Sequence, residues 1–351
     1  MHAAIAWLAI ILQSIDQNGW CSHLHSSGSI PGRVLIVLSD RGQPPQRRAC
    51  VVSRTQVTGV SLPHGDELAG ATIFVGGSWG SLPDQVFLVF CSSNTDPRRY
   101  CRVVLSTLSG HFIRRYPDST ATDIADPDGR LRRLVFGGPR ISPVGDLLAV
   151  QFEDTVQVLR VADSVTVRGI QPASMDYVWS PDAKEIAYTR APITHRGTTD
   201  ESQLFLHDLR TRTDRQLTHL EPKDFRPWWK VFAPPLFRNP VVSGVTWASR
   251  ANIIGFYVAG ELELHLWNPD GNEIKAVPLE GKCFRDTHLD PNAESVMYLD
   301  ASSAERCLSH AWDQIRLANL KTGKEQVVVA LRDNDLGIEE IDWAFDSTNP
   351  Q

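Results

Sequence analysis

A motif that recurs along the chain restricts its folding more than any single residue does. The clearest copy reads Trp179-Ser180-Pro181-Asp182-Ala183-Lys184-Glu185-Ile186-Ala187-Tyr188. Looser copies occupy Ile141 to Val150, Trp247 to Phe256 and Leu289-Asp290-Pro291-Asn292, and a clipped one reads Trp343-Ala344-Phe345-Asp346. Each copy has the same grammar. An apolar or aromatic residue ends one strand, three or four turn formers follow, and a charged residue leads into a short apolar run. Proline presets φ for a turn and Asp or Asn can bond its own backbone, so the chain reverses there. The apolar runs are of strand length, too short for helices.

A second unit follows each motif. It appears as Leu105 to Gly110, Leu206 to Thr211, Leu266 to Gly271 and Leu317 to Gly323, all rich in Asn, Asp, Ser, Thr and Gly. These read as hairpin turns joining a third strand to a fourth. Two hairpins in succession make a four-stranded antiparallel sheet, which is one blade of a β-propeller. Two weaker copies upstream start near Ser27 and at Trp79, with Val34-Leu35-Ile36 and Val86-Phe87-Leu88 as their apolar runs. Seven starts, at positions 27, 79, 141, 179, 247, 289 and 343, give about 53 residues per step, which suits a blade with insertions. The expected fold is therefore all-β, a six-bladed propeller over residues 27–351. The seventh start supplies one inner strand, roughly 338–343, which is expected to complete the N-terminal blade and close the ring. Closure of that kind removes sheet edges that would otherwise template aggregation.

The repeat resembles that of the TolB-like six-bladed propellers, whose blades carry a Trp-Ser-Pro-Asp-Gly-Lys-x-Ile-Ala-Tyr signature related to WD repeats. The copy at Trp179 follows it closely, with Ala183 where the family has Gly. The resemblance is good from about Ile141 to Gln351 and rests on periodicity before that. It implies a fold and a binding-platform role.

Composition narrows the function classes. The chain has 351 residues, 42% of them hydrophobic, and a net charge of −6. That charge gives no electrostatic reason to expect a nucleic-acid partner. The pairs Arg47-Arg48, Arg98-Arg99, Arg114-Arg115 and Arg132-Arg133 are scattered and read as solvated strand ends. Residues 1–26 form an N-terminal segment with an apolar stretch from Ala3 to Leu12. That stretch has signal-peptide length but neither a preceding Lys or Arg nor an Ala-x-Ala site after it. A signal peptide, a helix packed on the propeller and a misplaced start all remain open. It is too short to span a membrane, and no integral membrane segment is expected. The compartment, periplasmic or secreted against cytoplasmic, stays open as well. Of the six cysteines, Cys91 and Cys101 flank a turn-rich stretch and could pair on neighbouring strands if the compartment oxidises. Buried free thiols are the simpler expectation.

Several patterns carry chemistry only in part. Gly76-Gly77-Ser78-Trp79-Gly80 matches a nucleophile elbow, but a strand rather than the required helix follows it. Cys21, His23 and His25 alternate and could share a face, three ligands of the four that zinc takes. Asp123 to Gly129 resembles the start of a calcium loop, but Leu134 stands where the twelfth-position Glu belongs. The segment from Glu221 to Pro240 is the most distinctive insertion, with Phe225, Trp228, Trp229, Phe232 and Phe237 among prolines that include Pro227, Pro234, Pro235 and Pro240. So much proline argues against strands. Loop aromatics offer rigid apolar contact area of the kind found at binding hot spots. A second insertion, Ala191 to Glu201, is polar and reads as a loop.

The leading expectation is a non-catalytic propeller that binds a protein or peptide through its blade-connecting loops, with no cofactor. The rival is an enzyme, or a small-molecule or metal binder, using channel residues on inner strands. Its candidates are Asp176, His288, Asp290 and Asp342.

Overall fold

The computed structural model describes residues 19–28, 30–40, 46–54, 56–63, 73–91, 101–116, 138–152, 155–170, 176–190, 202–220, 241–259, 261–281, 283, 285–309 and 311–345. Their secondary structure is almost entirely strand, in six antiparallel sheets that are the blades of a six-bladed β-propeller. The chain divides into two compact units, one of residues 1–131, 301–316 and 327–351, the other of residues 132–300 and 317–326.

The first unit contains two complete blades. One is ordered β25-β2-β3-β4, from Leu336–Ala344, Arg33–Asp40, Arg47–Ser53 and Val57–Gly59. The C-terminal strand β25 thus heads the N-terminal sheet, running antiparallel to β2 from Arg33↔Ala344 to Asp40↔Leu336. The other blade is β5-β6-β7-β8, from Ile73–Trp79, Gln85–Cys91, Cys101–Thr107 and Phe112–Tyr116.

The second unit contains three blades, each in simple sequence order. They are β9 to β12 (Arg140–Ile141, Leu147–Phe152, Thr155–Arg160, Thr166–Ile170), β13 to β16 (Tyr177–Trp179, Glu185–Arg190, Gln203–Asp208, Thr213–Gln216) and β17 to β20 (Val242–Ala248, Ile253–Val258, Glu263–Trp267, Glu273–Pro278). The sixth sheet has the order β1-β24-β23-β22-β21, with β21 to β24 at Arg285–Leu289, Ser295–Asp300, Gln314–Asn319 and Glu325–Leu331. Its fifth strand, β1 (Leu24–Ser26), pairs with β24 at its outer edge. The sheets therefore begin three residues before position 27. A short helix, α1 (Ala304–Leu308), is capped by Ser303, whose side chain accepts the Arg306 N–H.

Burial follows strand position. The middles of the second strands are buried and largely apolar, as in the run Val34 to Leu38. Several fourth strands are mostly exposed: β12 and β16 are, and β20 shows only one partly buried residue, Val277. The core lies between successive sheets. Tyr177, Trp179 and Tyr188 pack with Ala149, Val156 and Val158, while Trp247, Ile254 and Phe256 pack with Leu204 and Leu206. Burying an aromatic of this size contributes about 1.5–3 kcal/mol.

The recurring motif forms the turn between the first and second strands. Ser180 donates its hydroxyl to Asp182 at 2.8 Å and accepts the Glu185 N–H at 2.9 Å. Ser142 repeats this, donating to Asp146 at 2.9 Å and accepting the Leu147 N–H at 3.1 Å. The third turn residue is left-handed in three blades, with φ of 79° at Gly145, 58° at Ala183 and 54° at Ala293.

The expectation of buried free thiols is overturned. Cys21 and Cys50 form a disulfide, Cys91, Cys283 and Cys307 are disulfide-bonded as well, and no described cysteine is free. Cys91 stands opposite Cys101 across the β6–β7 ladder. The bond from Cys21 ties the segment before β1 to strand β3, and the same bond removes Cys21 from any metal set with His23 and His25.

Candidate functional site

The first strands of neighbouring blades are joined by a hydrogen-bonded latch. A side chain on one first strand accepts a backbone N–H from the next. Asp342 accepts the Trp79 N–H at 2.9 Å, while its carbonyl takes the Trp79 indole N–H at 2.9 Å. Asp176 accepts the Gly244 N–H at 3.1 Å, and the Thr246 hydroxyl accepts the Leu289 N–H at 3.0 Å. Trp179 sends its indole N–H to the Arg140 carbonyl at 2.8 Å. These first strands run side by side without a ladder, so their backbone donors need side-chain partners.

The four channel candidates separate on this frame. Asp342 is held by its latch to Trp79. Asp290 occupies the turn position of Ser180, where its carboxylate accepts the N–H groups of Glu294 at 2.6 Å and Ser295 at 3.0 Å. Asp176 and His288 instead belong to one polar cluster, built by β13, β17 and β21 in the second unit.

Two irregularities shape that cluster. Strand β17 shifts register between Ser243 and Thr246, and β21 shifts between Arg285 and His288. Bulges of this kind re-aim side chains. Gly244 has φ +63°, and a Cβ there would stand 2.7 Å from Tyr257 Cδ1 and 2.9 Å from Thr287 Oγ1. Only glycine fits so close an approach. The Thr287 hydroxyl donates to the Gly244 carbonyl. Asp286 also takes a left-handed conformation, φ 53°, without being glycine. Such a residue carries about 1–3 kcal/mol of strain and recurs at sites with a function.

The electrostatics follow from crowding. Burial pushes the Asp176 carboxyl above its ordinary 3.8. The Gly244 N–H pulls it back, the Asp286 carboxylate adds to the push, and Arg285 and Ser243 favour the charged form. Burial likewise raises the Tyr257 phenol, with Asp176 and Asp286 adding and Arg285 opposing. His288 Nε2 lies 3.4 Å from Asp286 Oδ1. The result is a partly buried pair of carboxyl groups with one guanidinium, a phenol and an imidazole nearby. Burial is the largest cause of the rise in Asp176, and Arg285 already offsets part of the repulsion from Asp286.

Asp176 and His288 were candidates from the sequence, whereas Ser243, Tyr257, Arg285 and Asp286, which surround them, were not. The available signal was Arg285-Asp286-Thr287-His288, four polar residues in a row just before the motif copy at Leu289. Phe225, Trp228, Trp229, Phe232 and Phe237 lie outside the described residues, as do Asp123 to Gly129. Ser78 is buried within β5, opposite Phe87 of β6, and the segment after it forms a strand rather than a helix. No helix among the described residues is long and apolar enough to cross a membrane.

No family model matches the chain, and no curated protein matches it. Solved structures do. A chain in the crystal structure of a nidogen/laminin complex superposes with a TM-score of 0.55 at 11% identity, over 88% of this chain and 97% of that one. The crystal structure of TolB from Acinetobacter baumannii superposes with a TM-score of 0.53 at 14% identity, over 89% of this chain and 66% of that one. At these identities the likeness is one of fold, and the fold is that of a TolB-like six-bladed β-propeller.

Proposed function

We propose that this chain is a non-catalytic propeller that binds a protein or peptide. Two regions serve as contacts in this reading. One is the loop with Phe225, Trp228, Trp229, Phe232 and Phe237, whose aromatics would supply apolar area. The other is the cluster of Asp176, Arg285, Asp286 and His288, which would accept a Lys or Arg side chain or a terminal amine of the partner. The observation that carries the proposal is the gathering of Asp176, Asp286, Arg285 and His288 at the bulged strands β17 and β21, with His288 Nε2 3.4 Å from Asp286 Oδ1. Two carboxyl groups crowded in this way form a cation-binding site whose occupation is favoured by relief of their repulsion. The disulfides support placement in an oxidising compartment, outside the cytosol.

Selection of a displayed random-peptide library against the full chain tests this. Enriched peptides should share a Lys or Arg. They should weaken at least tenfold on Asp286→Asn, on Trp228→Ala/Trp229→Ala, or on both. A selection that enriches nothing, or peptides that bind both variants as tightly as wild type, would remove the proposal.

A further inference from the structure

A second cluster lies away from the first strands, on the β18–β19 turn and strands β19 and β20. The sequence Glu261-Leu262-Glu263-Leu264-His265-Leu266-Trp267 alternates polar and apolar residues. In a strand that alternation sends Leu264 and Leu266 to one face and Glu263 and His265 to the other. Leu264 and Leu266 are buried in the core toward β22 and β23. Glu261 enters the same polar set from the turn, where its N–H donates to Val258 at 2.9 Å. One oxygen or nitrogen from each of Glu261, Glu263 and His265 lies within 4.8 Å of the others.

The imidazole is what makes this more than an acidic patch. His265 is only 8% exposed, and its ring stacks on Phe256 with centroids 5.3 Å apart and planes 13° from parallel. Its Nδ1 lies 2.9 Å from Glu273 Oε1 and its Nε2 lies 2.9 Å from Glu261 Oε2. Carboxylates only accept, and a neutral imidazole has one N–H. With Nδ1–H donated to Glu273, Nε2 faces the Glu261 carboxylate, an arrangement completed either by a second ring proton or by a bound metal ion. A register shift between Leu266 and Trp267 helps place Glu273, opposite Trp267 and on the histidine's side of the sheet.

We propose that Glu261, Glu263 and His265 form a zinc-binding site, with Glu273 orienting the imidazole. A carboxylate on the far ring nitrogen is the usual support of a metal-bound histidine. One imidazole and two carboxylates leave the fourth position of a tetrahedral ion to water. Bonds of about 2.0–2.2 Å put neighbouring ligands roughly 3.3–3.5 Å apart. The Nε2–Oε2 pair therefore opens by about half an ångström on loading. The exposed Glu263 swings in to complete the set.

The test is calorimetric titration of zinc into the metal-stripped full chain, with cobalt as the spectroscopic probe. Wild type should bind one zinc ion, and cobalt should give the intense visible bands of a tetrahedral site. His265→Gln should abolish both. Glu263→Gln, at an exposed position where folding is not at stake, should weaken zinc at least tenfold, and Glu273→Gln should weaken it about 10–100-fold. Absence of stoichiometric zinc binding by wild type overturns the proposal, as does zinc binding left intact by Glu263→Gln. This site is independent of the peptide-binding proposal, and neither result bears on the other.

Discussion

The turn motif makes a quantitative prediction because one backbone conformation is filled by two residue types. Gly145, Ala183 and Ala293 all take left-handed φ values, 79°, 58° and 54°. Their surroundings are alike, since each donates its N–H three residues back, to Ser142 at 2.8 Å, Ser180 at 3.0 Å and Asp290 at 3.0 Å. For an alanine the left-handed well costs about 1–2 kcal/mol. Glycine escapes that cost but loses more backbone entropy on folding, by about 0.5–1 kcal/mol. Ala183→Gly and Ala293→Gly should therefore each stabilise the protein by about 0.5–1 kcal/mol. Gly145→Ala should destabilise it by a similar amount.

Asn252 supplies the control. It is left-handed too, φ 53°, one position later in its turn, and its Oδ1 accepts the indole N–H of the buried Trp247 at 3.0 Å. Asn252→Gly relaxes the backbone but leaves that donor without its partner, at a cost of about 1–3 kcal/mol. It should destabilise. The assay is equilibrium unfolding in urea, read as a midpoint shift at constant slope. If Ala183→Gly and Ala293→Gly lower the midpoint, or Asn252→Gly raises it as they do, the steric account of these turns is wrong.

Two further effects follow from the core of each unit. Asp176 has a folded pKa above its unfolded value, so its contribution to stability is complete below about 3.8 and is lost as pH rises through the folded value. Asp176→Asn keeps an acceptor for the Gly244 N–H and should gain in melting temperature over wild type as pH rises towards neutrality. A difference independent of pH would contradict the sign. The Cys21–Cys50 bond closes a loop with a sequence separation of 29. Cys21→Ser/Cys50→Ser should lose about 3–4 kcal/mol in the same urea assay. A loss under 1 kcal/mol would mean that β1 and β3 hold their places without it.

What the sequence revealed and what it hid divide along range of interaction. The blade turns were legible because Ser180, Pro181 and Asp182 act on their own backbone within six residues. The strand order within blades followed, since antiparallel neighbours joined by short turns leave little choice. The pairing of β25 with β2 was anticipated from an unmatched motif at Trp343. The addition of β1 to the last sheet was not, because Leu24-His25-Ser26 carries no motif. Nor did the separation between Cys21 and Cys50 give any sign of their bond. Such pairing depends on two strands meeting, and residue spacing does not report that. The alternating segment from Glu261 to Trp267 was readable in principle. Its meaning depended on Glu273, which reaches His265 from another strand.

Carboxylates on first strands were the least legible group, and the reason is physical. In a propeller these strands lie beside one another without pairing, so each exposes N–H groups that only a side-chain acceptor can satisfy. Asp is the residue a structural latch calls for, and also the residue a ligand site calls for. Asp342 and Asp176 illustrate the overlap, since both accept a first-strand N–H from the neighbouring blade. Asp342 has Glu340 on its own strand, which accepts the Gly77 N–H, whereas the second carboxyl group beside Asp176 comes from another strand. Asp286 approaches on a bulged strand, in a backbone conformation that costs energy, and pushes Asp176 in the same direction as burial does. A latch alone gains nothing from that neighbour, which weakens the charged acceptor it relies on. Arg285 offsets part of that push, and under the proposed function a cationic group of the partner would offset more of it. That asymmetry between equivalent positions, rather than the presence of acids on first strands, is why the proposed function puts its cationic contact at Asp176 and Asp286.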